Sequence, residues 1–518
     1  MNHNLFAALQ GAFPEDRTQM AVETEAGRIY SWADLERGAA QLANLFRLLS
    51  ISEDSRILIQ ADKSVEAMMV YLGTLQAGYI HLPLNTAYQP GEMAYFISDA
   101  QPTVVICSPA TQEWLEPMAR QAGVAHVYTL NAEGSGTLME AMSAQPHSAA
   151  IALRHCDDVA TILYTSGTTG RSKGAMLTHG NLLSNAATLK EYWGWQKDDV
   201  LIHALPIFHV HGLFVAINGS LLNGSPMLWL SRFDVKAVLE RLPRATLFMG
   251  VPTLYVRLLS DTAFNRQVAQ HMRLFVSGSA PLLIDTFREF QQRTGHTILE
   301  RYGMSETVML TSNPWQGGER RGGTVGLPLP GVTVRVQDGE GCTLPAEEIG
   351  SIEVKGPNVF KGYWGMPEKT AEEFTAEGFF RTGDVGKIDA QGYVTIVGRS
   401  KDLIISGGYN VYPAEVESYL NEMEGVADSA VVGVPHPDFG EVGVAILVPK
   451  PGSNPDPEKL IQELKQHIAY YKVPKRAFLV KELPRNTMGK VQKNVLRETH
   501  CQLFMGSDPG RGQTPHGV

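Results

Sequence analysis

Between Tyr164 and Gly174 the chain reads Tyr-Thr-Ser-Gly-Thr-Thr-Gly-Arg-Ser-Lys-Gly, which puts five Ser/Thr hydroxyls, three glycines and two cations in one short run. Glycine lets backbone N–H groups approach a ligand closely, and together with hydroxyls and cations such groups hold a polyphosphate. Thr165, Ser166, Gly167, Thr168, Thr169, Gly170 and Lys173 are therefore candidate phosphate-binding residues. The Walker pattern is excluded: it ends Gly-Lys-Ser/Thr, whereas here Ser172 precedes the lysine and Gly174 follows it. A flexible surface loop is the bland explanation, and so dense a run directly after a buried strand argues against it.

Two further places carry candidate chemistry. His209-Val210-His211-Gly212 sets two histidines two residues apart in a run that reads as buried. No third ligand is evident, so zinc is not expected. In Val251–Leu259, if helical from Pro252, Arg257 falls beside Leu254 and Leu258 on the apolar side. A buried guanidinium there needs an anionic partner, and a substrate carboxylate would serve bidentately. The same spacing equally fits an arginine that snorkels from the edge of the apolar stripe.

The elements that would position these residues alternate along the first 400 positions. Ser31 and Asp34 read as a capping box opening a helix whose apolar side chains recur at Leu35, Ala39, Leu42, Phe46 and Leu49. A strand at Arg56–Gln60, a helix at Val65–Leu75 and a strand at Gly78–Leu82 follow. The rhythm returns at Val159–Tyr164, with the Gly/Ser/Thr loop and then a helix from about Thr178. It returns again at Leu274–Val276, followed by a helix carrying Leu283, Phe287 and Phe290. Such alternation predicts an α/β fold with parallel-rich, helix-covered sheets and ligands at the carboxyl ends of strands. Near Gly398–Lys401 the pattern shortens: helices at Ala414–Asn421 and Pro457–Ile468, strands at Ser429–Val434, Val442–Val448 and Ala477–Val480. The expected organisation is a large domain over 1–399, a small α+β domain over 400–505 and a disordered tail over 506–518.

Composition narrows the class. The formal net charge of −10 and the 44% hydrophobic content argue against global disorder and against nucleic acid or an anionic membrane as partner. The average hides a cationic segment, since Lys465–Arg497 holds Lys/Arg at 465, 472, 475, 476, 481, 485, 490, 493 and 497 against the lone acid Glu482. The richest apolar run, Leu201–Ile217, is broken by histidines and a proline, so no membrane span is expected. Met1–Ala12 lacks the blocks of a secretory signal, and Cys107, Cys156, Cys342 and Cys501 show no metal spacing. A soluble, cytoplasmic protein with reduced thiols is expected.

From Tyr164–Gly174 onward the chain resembles the acyl-adenylate-forming superfamily of acyl-CoA synthetases, peptide-synthetase adenylation domains and firefly-type luciferases. The resemblance runs from about Ala7 to His500, with the motifs in the family's order. It implies ATP, Mg²⁺ and coenzyme A as co-substrates and metal, and a small domain that turns between two half-reactions. Ser277-Gly278-Ser279-Ala280-Pro281 is similar to the turn that skirts the adenine and the acyl pocket. Glu300-Arg301-Tyr302-Gly303-Met304-Ser305-Glu306-Thr307 is similar to the family's Tyr-Gly-x-Thr-Glu segment, where the tyrosine packs on adenine, the hydroxyl binds the α-phosphate and the glutamate holds Mg²⁺. An aromatic plate, a hydroxyl and a carboxylate so close together suit a base, a phosphate and a metal. Ser305 stands where threonine is usual; the hydroxyl is retained with a less constrained rotamer.

The resemblance further implies that Asp384, in Thr382-Gly383-Asp384, accepts the ribose hydroxyls, that Arg399 binds ribose and phosphate, and that Lys401 is the hinge. Gly407-Gly408 would line the CoA tunnel, and Lys490 would bridge the attacking carboxylate and the α-phosphate. ATP and AMP would thus meet Thr165–Gly170, Lys173, Ser279, Ala280, Glu300, Arg301, Tyr302, Ser305, Asp384, Arg399 and Lys490. Without the family, Thr-Gly-Asp reads as a turn and Lys490 as one more surface lysine.

Leu205–Gly212, Gly250–Thr253, Ser277–Ala280 and Glu300–Met304 are similar to the members that activate malonate. There Arg257, with Ser279 and His209, would hold the distal carboxylate, while Met304 would limit chain length or branching. The expected reaction is ATP-dependent ligation of malonate to CoA through malonyl-adenylate, with Lys490, Glu306 and His209 in the catalytic set. Methylmalonate or another short acid, a carrier protein as acceptor, and a non-catalytic nucleotide-binding role are the competing readings.

Overall fold

The computed structural model describes residues 2–165, 172–406, 409–468, 470–486 and 489–504. The chain packs as two compact units: Met1–Arg335 with Glu353–Thr382 and Asp389–Val394, and Val336–Ile352 with Gly383–Ile388 and Thr395–Val518. Segments ahead of residue 400 therefore contribute to the second unit.

Two sheets organise the first unit. One has the strand order Gly362–Tyr363, Lys173–Thr178, Val159–Thr165, Ile80–Pro83, Arg56–Gln60, Val104–Cys107, His126–Thr129. Its last five strands run parallel, with Ile57 opposite His81 and Val104, and His81 opposite Thr161. The other has nine strands, and its centre, from Leu299–Tyr302 through Leu274–Ser277, Leu247–Gly250 and Leu201–His203 to Met227–Trp229, is parallel. Leu58, Val105, Phe248 and Phe275 are fully buried, as strands covered on both faces require.

Local sequence explains the helices. Trp32–Leu48 opens on a complete capping box, Ser31 with Asp34, and buries Leu35, Ala39, Leu42 and Phe46. Val65–Ala77 is buried all round and stops at Gly78, whose left-handed φ of 84° ends the helix rather than starting the next strand. That strand begins at Ile80.

Two expectations are corrected here. Val159–Thr165 is not followed directly by loop and helix: Lys173–Thr178 is a strand paired antiparallel to it, and the helix His179–Tyr192 starts after the Thr178 cap. Thr382-Gly383-Asp384, which reads locally as a turn, lies inside the strand Phe380–Ile388. The run Leu201–Ile217 divides into a strand, Leu201–His203, and a buried π-helix, His211–Ile217. Among the described residues no helix is long and apolar enough to cross a membrane.

The second unit contains a five-stranded sheet in which Val426–His436 pairs antiparallel with Gly440–Pro449. Alternation along these strands builds two cores. Val431, Ala445 and Leu447 pack with Val416, Leu420 and Leu464 of the helices Pro413–Glu422 and Pro457–Leu464. Val432, Val434, Val444 and Ile446 pack with Leu483 and with Leu496 of the helix Lys493–His500.

Candidate active site

The hydroxyl-rich loop is anchored at its base. Thr165 pairs with Lys173 and Tyr164 with Gly174 across the antiparallel hairpin. Tyr95 donates its hydroxyl proton to the Ser172 carbonyl at 2.6 Å, and the Tyr164 hydroxyl donates to Asp99. Ser166, Gly167, Thr168, Thr169 and Gly170 lie outside the described residues. Lys173 sits 4.3 Å over the Tyr363 ring and 3.5 Å from the Glu373 carboxylate.

Strands Leu274–Ser277 and Leu299–Tyr302 run in register, Ser277 opposite Glu300, so the two loops that follow leave from neighbouring carboxyl ends. In the first, Ser279 holds a left-handed φ of 72°, a strained conformation for a non-glycine residue. In the second, Gly303 passes so close to the Val308 carbonyl that a Cβ has no room. Thr307 returns its N–H to the Met304 carbonyl at 3.1 Å, closing a tight loop that carries Met304, Ser305 and Glu306. Met304, Ser305, Ser279 and Ala280 are half-buried, and Glu306 is buried. The Tyr363 hydroxyl donates to Glu306 Oε1 at 3.1 Å, and Phe360 N–H donates to the Glu306 carbonyl at 2.8 Å.

Glu300 and Tyr302 point to one face of their strand and Arg301 to the other, by the two-residue period of a strand. Glu300 is buried, accepts from Gly323 N–H at 3.2 Å, and is pushed up to about 8 by desolvation. The Arg301 guanidinium is 3% exposed, packs against Gly278, and has Nε and Nη2 buried without a hydrogen-bond partner among the described residues. Burial draws it down to about 9.

His209 is half-buried, with its ring 4.6 Å from that of Phe208. His211 opens the π-helix with both ring nitrogens buried and unpartnered among the described residues. Desolvation, then the Arg301 charge, hold it well below the usual imidazole range, so it is neutral. Of the two readings left open for Arg257, the structure takes the one at the edge of the apolar stripe. The helix Pro252–Leu259 buries Leu254, Tyr255, Leu258 and Leu259, and Arg257 is exposed beside Val256. Two short turns give too little periodicity to fix which edge of the stripe faces the core.

In the second unit Asp384 is buried and its Oδ1 lies 2.7 Å from Arg399 Nε on the adjoining strand Val394–Arg399. Lys401, in the short turn Ser400–Asp402, is drawn down by desolvation, with Asp402 opposing. Lys490 is exposed on a hairpin closed by an Arg485–Val491 bridge, with Lys490 N–H donating to Asn486 Oδ1 at 3.0 Å. Gly407 and Gly408 lie outside the described residues.

Sequence reading missed Tyr363 and the environment of His211. Tyr363 is far along the chain from Glu306, and nothing local in Gly362-Tyr363-Trp364 marks it. For His211 the signal was present in the His-x-His-Gly run.

A hairpin with a hydroxyl-rich connection, together with a tyrosine, hydroxyl and carboxylate at the carboxyl ends of a parallel sheet, is the arrangement of an adenylate-forming enzyme. The chain belongs to the AMP-binding enzyme family: that family's model matches residues 8–364, and the model of the AMP-binding enzyme C-terminal domain matches residues 415–490. It is 33% identical to a malonate–CoA ligase of Arabidopsis thaliana, over 96% of this chain and 89% of that protein. It is 35% identical to a feruloyl-CoA synthase of an Amycolatopsis species, over 94% of this chain and 98% of that one. Among solved structures, ATP-bound MatB from Rhodopseudomonas palustris matches with a TM-score of 0.95 and 52% identity, over 97% of this chain and 100% of that chain.

Proposed function

We propose that this chain is an AMP-forming acid–thiol ligase that joins malonate to coenzyme A through malonyl-adenylate, releasing AMP and pyrophosphate. The observation that carries the reading is the near full-length likeness to a malonate–CoA ligase. In the first half-reaction a malonate carboxylate oxygen attacks the α-phosphorus of ATP and pyrophosphate leaves. In the second, the CoA sulfur attacks the acyl carbon, the thiol proton is lost, and AMP leaves.

The loop Thr165–Gly170 with Lys173 cradles the phosphates, Ser305 takes the α-phosphate, and Ser279, Ala280, Glu300 and Tyr302 border the adenine. Asp384 and Arg399, joined by an ion pair, take the ribose, since a carboxylate is a good acceptor for a vicinal diol. Lys490 neutralises charge that builds on the phosphoryl oxygens as pyrophosphate departs. Lys401 serves as hinge, and Gly407-Gly408 lines the pantetheine path. His209, Ser279 and Met304 border the acid, with Arg257 retained in this set on resemblance alone.

The residues fit Mg²⁺. Glu306 is a buried carboxylate steadied by the Tyr363 hydroxyl, and one carboxylate plus substrate phosphates is the oxygen set this ion takes. Bound there, it neutralises phosphate charge. A reducing cytoplasm is supported by four free cysteines, one of them buried.

The test is AMP release by the whole chain with ATP, Mg²⁺ and CoA across malonate, methylmalonate, propionate, acetate and ferulate. Malonate should give the highest kcat/KM. A higher value for any monocarboxylic acid overturns the reading.

A further inference from the structure

Val308 holds a left-handed φ of 53°, a conformation that costs a β-branched residue more than most. It is 1% exposed and follows Glu306 by two residues, so the strain falls where the loop carrying Ser305 and Glu306 rejoins the core. Backbone in such a region persists only where its surroundings over-determine it.

Asparagine amides supply those surroundings. Asn358 Nδ2 donates to the Thr307 carbonyl at 2.6 Å and to the Met309 carbonyl at 2.9 Å, so one amide straddles Val308. Asn185 Nδ2 donates to the same Met309 carbonyl at 2.8 Å, taking its second lone pair. Both asparagines are buried, and each leaves its Oδ1 without a hydrogen-bond partner among the described residues. An unpaired buried acceptor is costly, so what these side chains contribute is their donor end.

Asn358 is held in the same manner. Asn181 Nδ2 donates to the Pro357 carbonyl at 2.7 Å and to the Val359 carbonyl at 2.9 Å, straddling Asn358 as Asn358 straddles Val308. Asn181 lies in the first turn of the helix His179–Tyr192, where its Oδ1 accepts the Thr178 N–H at 3.0 Å in the capping box. Asn185 follows one turn later on the same helix face. Thr178 in turn ends the strand Lys173–Thr178 that rises from the base of the hydroxyl-rich loop. Two residues beyond Asn358, Phe360 N–H donates to the Glu306 carbonyl at 2.8 Å. Hydrogen bonds thus connect the two candidate phosphate-binding segments through side chains to which no ligand contact has been assigned.

We infer that Asn358 is a positioning residue for the reaction: its amide holds Val308 in the strained backbone that fixes Ser305 and Glu306 against Mg-ATP, braced from the helix by Asn181 and Asn185. The inference rests on the reading in which Ser305 and Glu306 meet Mg-ATP, and it names what keeps them in place before the nucleotide arrives.

The test compares wild type, Asn358→Ala, Asn181→Asp, Val308→Gly and the Val308→Gly/Asn358→Ala double variant. Amide hydrogen exchange is followed on the ligand-free protein, and KM values for Mg-ATP and malonate are taken from ATP–pyrophosphate exchange. In Asn358→Ala the Phe360 amide should exchange about tenfold faster or more, a larger factor than for amides of the buried strand Arg56–Gln60. The Mg-ATP KM should rise by about tenfold or more, and at least about threefold more than the malonate KM, because two hydrogen bonds to the loop are lost. Asn181→Asp keeps the acceptor for Thr178 N–H and loses the donors to residues 357 and 359. It should show the same pattern at about threefold, and supplies the answer if Asn358→Ala does not fold. Glycine takes a left-handed φ without steric cost, so in the Val308→Gly background Asn358→Ala should raise the Mg-ATP KM by less than about threefold.

Amide exchange quickened by one factor at Phe360 and along Arg56–Gln60, equal rises in the two KM values, or an Asn358→Ala effect undiminished by Val308→Gly would each overturn the inference. Failure of the underlying reading is separate. It would show in wild type as pyrophosphate exchange that needs no Mg²⁺, or that a monocarboxylic acid supports better than malonate, with the ligand-free amide pattern unaffected.

Discussion

The Tyr363 hydroxyl donates to Glu306 Oε1 at 3.1 Å while its ring lies 4.3 Å beneath Lys173 Nζ. One aromatic side chain thus touches the carboxylate proposed to hold Mg²⁺ and the cation at the base of the hydroxyl-rich loop. The strand Gly362–Tyr363 that carries it pairs with Lys173–Thr178, which fixes both contacts by backbone register. Tyr363→Phe keeps the ring under Lys173 and removes the donor to Glu306. A lost hydrogen bond of about 1 kcal/mol corresponds to roughly a fivefold rise in the Mg²⁺ concentration giving half-maximal ATP–pyrophosphate exchange. The malonate KM should not move.

Lys490 separates the two half-reactions. If its cation acts only while charge builds on the α-phosphoryl group, Lys490→Ala should lower ATP–pyrophosphate exchange by about 100-fold or more. Thioester formation from preformed malonyl-AMP and CoA should stay within about threefold of wild type, because no pyrophosphate leaves in that step. Single-turnover assays of each half-reaction decide it, and loss of both would remove Lys490 from this role.

Much of this architecture was legible where short-range rules decide it. The Ser31–Asp34 capping box, the strand Arg56–Gln60 and the strand Leu274–Ser277 sit where their patterns place them, since caps and buried apolar runs are settled locally. Lys173–Thr178 was not legible as a strand: Lys-Gly-Ala-Met-Leu-Thr has weak strand propensity and is held by pairing with Val159–Thr165. Arg257 and Arg301 show the same limit at the site. The short helix Pro252–Leu259 leaves its buried edge to tertiary packing, and the charge that is buried lies in a strand, where Arg-Tyr-Gly reads as part of a nucleotide motif. The Tyr363–Glu306 contact joins distant segments and leaves no local trace.

Glu300 makes stability depend on pH. Desolvation raises its carboxyl from 4.5 to about 8 in the folded chain, against the Gly323 and Leu282 backbone hydrogen bonds that favour its ionised form. Below about 4.5 both states hold the proton and this group costs nothing. As pH rises toward 8 the unfolded chain releases the proton while the folded chain keeps it, so stability falls, by on the order of a few kcal/mol in total. Glu300→Gln removes that slope. Thermal unfolding of the two proteins should nearly coincide at pH 5, with the variant higher by about 2 °C or more at pH 8. A parallel pH dependence in both would place the titration elsewhere.

Gly303 and Gly91 test whether the loop bearing Met304, Ser305 and Glu306 is fixed by backbone contact. Neither glycine has a left-handed φ, so alanine is conformationally acceptable at both. At Gly91, inside the helix Pro90–Ala100, a Cβ meets nothing within 4 Å. Gly91→Ala should therefore stabilise the protein by about 0.5–1 kcal/mol through a less flexible unfolded chain and leave turnover unchanged. At Gly303 the Cβ would run into the Val308 carbonyl and the Met309 backbone, neither of which can rotate away as a side chain could. Val308 already holds a φ of 53°, unusual for a β-branched residue, so the returning chain has little freedom to yield. Gly303→Ala should cost about 1–3 kcal/mol and, in the fraction that folds, raise the KM for Mg-ATP by roughly tenfold as Ser305 and Glu306 shift together. Thermal unfolding and ATP–pyrophosphate exchange on both variants measure this, and an Mg-ATP KM unchanged in Gly303→Ala would mean the loop is positioned by something other than that backbone contact.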